Sequence, residues 1–164
     1  MRIFLKVLFV FLIIIITGII NISSVCAQDT VLKGSVSMVP SEFYGMWRVL
    51  SKLADTDSPD IFNEKNLDLW NLTKTNGVIK LSNPFNGESA EIKVDKVEGK
   101  DIVFSKTEEY KNKKIKDTVE IHIEDEVFEG NNTIVIETFV DGKIVKIQTA
   151  KYTLNGEKIA GEVK

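Results

Sequence analysis

His122 is the only histidine among the 164 residues, and it stands between Glu120 and Glu124. Residues two apart on an extended strand share a face, so this Glu-His-Glu run would present an imidazole and two carboxylates together. As metal chemistry that set is weak, because a catalytic zinc takes three protein ligands in which histidine or cysteine dominates. The run reads instead as the solvated face of a strand whose other face carries Ile121 and Ile123. The paired carboxylates Glu108/Glu109 and Asp55/Asp57 fall in expected turns or loops, where no burial would shift their titration. A Ser-His-Asp site would have to use His122, and no serine sits in a Gly-x-Ser-x-Gly turn. The glycines are dispersed roughly one per turn, so no phosphate loop is present. No catalytic residue, metal ligand or cofactor motif is assigned, and the chain is read as something other than an enzyme.

Binding chemistry has more material. Phe43, Trp47, Phe62, Phe85, Phe104 and Phe139 are joined by Trp70, enough aromatic surface to build a pocket or simply to fill a core. Lys111, Lys113, Lys114 and Lys116 would form a basic tip, but Glu108, Glu109 and Asp117 flank it and cancel most of its field. It reads as a solvated turn.

The first 27 residues read as an export signal. Arg2 and Lys6 precede or flank the start of an apolar run over residues 7–20, and the following segment 21–27 ends in Val25-Cys26-Ala27, residues a signal peptidase accepts. The alternative, an uncleaved anchor, suffers from a short run interrupted by Gly18. Cleavage would leave 137 residues, suited to one domain, located in the periplasm or outside the cell. Cys26 is the only cysteine and would leave with the signal, so the remainder could form neither a disulfide nor a thiolate site. Losing Arg2 and Lys6, with no acidic residue, changes the formal charge from −3 to −5. An acidic surface whose single arginine is Arg48 excludes nucleic acid as a partner. Membrane contact is expected only through the signal segment before cleavage, and nothing in the sequence bears on oligomeric state.

The elements that must position these residues are strands. Residues 28–42 read as an extended arm. Residues 43–53 (FYGMWRVLSKL) alternate as the first long strand, with Phe43, Trp47, Val49 and Leu53 on one face. Residues 54–66 form the one long loop, and Ser58-Pro59 predicts a short helical turn through Ile61 and Phe62. Beyond it come short alternating runs. Asn76-Gly77, residues 83–87, Glu98-Gly99-Lys100, the charged stretch 108–116, Gly130, Asp141-Gly142 and Asn155-Gly156 supply the expected turns or bulges. Eight to ten short strands with local turns predict an all-β, antiparallel up-and-down barrel over residues 43–164.

The chain resembles the lipocalin-like (calycin) barrels in Gly45-Met46-Trp47 at the first strand, in the long loop that follows, and in the meander that completes it. The resemblance implies that Trp47 closes the barrel floor, that the first loop overhangs the mouth, and that a ligand lies in an apolar interior. Phe43, Trp47, Ile61, Phe62, Trp70 and Phe104 are then the expected ligand contacts. The family's late arginine, which covers the tryptophan, has no counterpart here, and Lys143 or Lys151 would replace its flat guanidinium only poorly. The expected function is an exported binding protein for a small apolar or amphipathic ligand. The alternative is an envelope or secreted interaction or inhibitor protein with a filled core.

Overall fold

The computed structural model describes residues 36–161. The expected signal (1–27) and the first part of the expected arm (28–35) lie outside the described residues. A short 3₁₀ helix, Ser41–Phe43, leads into eight strands: β1 (Gly45–Thr56), β2 (Lys65–Thr75), β3 (Val78–Ser82), β4 (Ser89–Glu98), β5 (Asp101–Tyr110), β6 (Lys113–Glu124), β7 (Val127–Val140) and β8 (Lys143–Ala160). Each pairs antiparallel with the next, and β8 returns to pair with β1, so a single sheet closes into a ring. Closure gives the strands partners on both sides, which removes the exposed edges an open meander would leave.

Two of the turn glycines follow a residue that itself takes positive φ. Asn76 and Gly77 have φ of 54° and 80°, and Asp141 and Gly142 have 52° and 74°. Positive φ at both central residues is the type I′ pattern that matches strand twist. Two other glycines, one expected at a turn or bulge and one at a turn, lie within strands. Gly130 lies inside β7, where an added Cβ would stand 2.1 Å from the Glu120 carbonyl oxygen. Gly156 lies inside β8, with the Phe128 ring over it. Both serve close approach, and the turn between β6 and β7 comes earlier, where Asp125 takes φ of 55°.

Two further expectations are corrected. The short helix precedes β1, at the end of what was expected to be an extended arm, and the first long loop contains no helix. Residues 57–64 hold only a hydrogen-bonded turn, in which Ile61 N donates to Ser58 O at 3.2 Å. The Ser58 hydroxyl caps nothing, because it donates to Asp57 Oδ1 and accepts from Gln148 Nε2. The charged stretch 108–116 is mostly strand: β5 and β6 stay paired to Tyr110↔Lys113, and only Lys111 and Asn112 turn. Charge does not end a strand whose backbone still finds partners, here β7 on the far side of β6.

Strand register divides the interior into two halves. At the end bearing the 3₁₀ helix, Phe43, Trp47, Val49, Leu72, Ile102 and Phe128 are buried. Burying each such large side chain contributes about 1.5–3 kcal/mol. At the opposite end, reached by loops 57–64 and 83–88 and by the tips at 111–112 and 141–142, the same inward rows continue into polar residues. Phe104 is followed on its face by Lys106, Val119 is preceded by Asp117, and Trp70 by Asp68.

Candidate functional site

The closed end is built first from aromatic contacts. The Trp47 ring meets Phe128 at 5.1 Å between centroids, and Trp70 stacks on Phe128 at 5.9 Å with 23° between planes. Phe104 meets Trp70 edge-on at 6.2 Å and Phe43 at 5.6 Å. These rings form one continuous aromatic layer across the inside of the ring. Trp47 Nε1 donates to the Phe43 carbonyl at 3.0 Å, so the indole is both buried and satisfied. A cation covers it at the closed end. Lys158 Nζ lies 5.2 Å from the Trp47 ring centroid and donates to Glu42 O at 2.7 Å. The lysine in this place is thus Lys158, rather than Lys143 or Lys151. The pairing Trp47↔Lys158 puts it there, which spacing along the chain does not reveal.

Above the aromatic layer lies a cavity of about 390 Å³. Every strand except β8 contributes to its wall, which is possible only for space inside the ring. Trp70, Phe104, Leu81, Ile92 and Val119 supply its apolar surface. Ser51, Asn66, Asp68, Lys106, Asp117 and Asn132 supply the polar surface, and Asn86 reaches in from the loop between β3 and β4. The interior at this end is therefore mixed, where an apolar one was expected.

The polar groups are differently engaged. Asp68 accepts hydrogen bonds from Asn83 Nδ2, from Leu69 N at 2.8 Å and from Trp70 Nε1 at 3.1 Å. Lys106 Nζ lies 3.1 Å from Glu108 Oε1 on the same strand. Asp117 accepts from Asn132 Nδ2, an amide that also donates to Thr118 O at 3.2 Å. Desolvation in the cavity wall raises the Asp117 pKa above the ordinary aspartate value. The Asn132 bond and the Lys106 charge act against that rise, while Glu108 adds to it.

Of the six expected ligand contacts, Trp70 and Phe104 line the cavity. Trp47 and Phe43 are fully buried behind them and act as its backing. Phe62 is packed partly buried against the core, and Ile61 is exposed in loop 57–64, so neither is among the lining residues. Sequence reasoning missed Asp117, Lys106, Asn132 and Phe128. Asp117 was read as one of the solvated acids flanking a lysine-rich turn. The available signal was alternation: Ile115, Asp117, Val119 and Ile121 occupy one face of a single strand. His122 faces outward, its Nδ1 2.7 Å from Asp101 Oδ1, with both side chains exposed. Among the described residues, no three histidine, cysteine or acidic side chains gather in a way that would hold a metal. Compared with protein-family models, curated proteins and solved structures, the chain matches none.

Proposed function

We propose that the chain is an exported, lipocalin-like barrel protein that binds one small amphipathic molecule inside its ring. The observation that carries the reading is the 390 Å³ cavity, with an aromatic floor at Trp70 and Phe104 and polar groups above them. That volume and mixture of lining are typical of small-molecule sites, in which apolar surface supplies affinity and a few polar groups set orientation. The lipocalin-like reading is supported by the closed ring of eight strands, the tryptophan at one end and ligand space toward the other. The export reading rests on the composition of residues 1–27.

The test is native mass spectrometry of protein purified from its natural host, alongside a Val119→Trp variant that fills the cavity. A small-molecule adduct on the wild type, lost on denaturation and absent from the variant, is the expected result. Bare protein in both samples, with wild-type tryptophan emission unmoved by a panel of small amphiphiles, would overturn the reading.

A further inference from the structure

The charges in the cavity wall do not balance. Asp68 and Asp117 line it, and Glu108 stands next to them; Lys106 is the one ammonium among the lining residues, already 3.1 Å from Glu108. An anionic head group entering here would meet two carboxylates and a lysine with a prior partner. The two carboxylates also differ in spare capacity. An ionised carboxyl has about four acceptor positions. Asp68 has three donors, a side-chain amide, a backbone N–H and an indole. Asp117 receives a single donor among the described residues, the Asn132 amide, which it shares with the Thr118 carbonyl. A carboxylate in such a partly desolvated wall gains most from a ligand that brings positive charge and several donors. The same cavity presents Trp70 and Phe104, whose rings offer an apolar floor to the rest of such a ligand. Leu81, Ile92 and Val119 leave room for an alkyl portion.

We propose that the ligand is an amphipathic primary amine, its ammonium group held by the Asp117 carboxylate and its hydrocarbon lying on Trp70 and Phe104. This rests on the binding reading above and goes further by fixing the sign of the head group. Lys106 and Glu108 of β5 and Asp68 of β2 bias the same wall, and Asn132 of β7 holds Asp117 in place.

Three probes with the same eight-carbon chain separate the alternatives: octylamine, octanol and octanoate, titrated by calorimetry against the folded protein. Octylamine is expected to bind at least ten times more tightly than octanol, and octanoate more weakly than either. Asp117→Asn should bring octylamine down to the level of octanol while leaving octanol unchanged. Lys106→Gln should strengthen octylamine binding. A thermal melt of each variant establishes that it is folded. Equal binding of all three probes, or an amine preference surviving in Asp117→Asn, overturns the amine proposal and leaves the carrier reading standing. Octanoate binding most tightly does the same. Failure of all three probes to bind removes both.

Discussion

The Phe128 ring lies over the bare backbone of Gly156, so close that a Cβ there would stand 2.1 Å from its Cε1 atom. The pairing Phe128↔Gly156 makes this contact a property of the β7–β8 register, and through Phe128 it sets the aromatic layer under the cavity. Gly156→Ala should therefore destabilise the fold by roughly 1–3 kcal/mol, the usual cost of overpacking a filled core. In a Phe128→Leu background the same substitution should cost less, and a double-mutant cycle in urea would measure the difference. Additive effects of the two changes would show that the ring does not sit on Gly156.

Lys158 contributes to the closed end through its charge and its reach. Replacing it by methionine removes the cation from over Trp47 and the hydrogen bond to Glu42 O, while keeping most of the apolar stem. A loss of about 0.5–1 kcal/mol is expected for a cation over indole at a partly exposed site. Lys158→Arg should retain it. Urea midpoints of the three proteins decide the matter, and a methionine variant as stable as wild type would count against the contact.

Asp117 makes stability depend on pH in a direction that can be stated. Desolvation raises its folded pKa, opposed by Asn132 and Lys106 and assisted by Glu108, so the folded chain holds this proton more tightly than the unfolded chain does. Its contribution is fully present below the ordinary aspartate value and is lost as pH rises through the elevated one. Asp117→Asn should consequently be more stable than wild type at neutral pH, and the gap should close in acid. Melting temperatures of both proteins from acid to neutral pH provide the check.

Asp95 runs the other way. Burial pushes its pKa up, but the Ser105 hydroxyl, donating to Asp95 Oδ2 at 2.5 Å, and the neighbouring Lys93 outweigh that and leave it lowered. The stability it lends is present above the ordinary aspartate value and disappears as pH falls through the lowered one. Ser105→Ala should cost about 1 kcal/mol at neutral pH, the net worth of a typical hydrogen bond, and little in strong acid. A cost that is constant with pH would mean the serine matters through packing alone.

The residues that were legible in advance are those whose local chemistry has one solution. Asn76-Gly77 and Asp141-Gly142 announce tight turns because few residue pairs accept positive φ in succession. Trp47 was expected at one end only through the resemblance to lipocalin-like barrels, since neither face of its strand is cleanly polar; its indole is fully buried there. Asn155-Gly156 carries a similar turn signature and was misread, because its glycine answers to a ring twenty-eight positions away. Asp117 was misread for the same kind of reason. Alternation assigns it to the face of Val119, but only the length of the β5–β6 pairing makes that face an interior wall at its level.

Sequence alone determined the succession of antiparallel strands and two of their tightest turns, since these depend on residues within a few positions of one another. Tertiary structure decided which polar side chains share the cavity and which cation covers Trp47. Asp117, Lys106, Asn132 and Asp68 come from four strands, and Lys158 from the far end of the chain. Their meeting follows from ring closure and register, which are set by long-range pairing that no local pattern encodes.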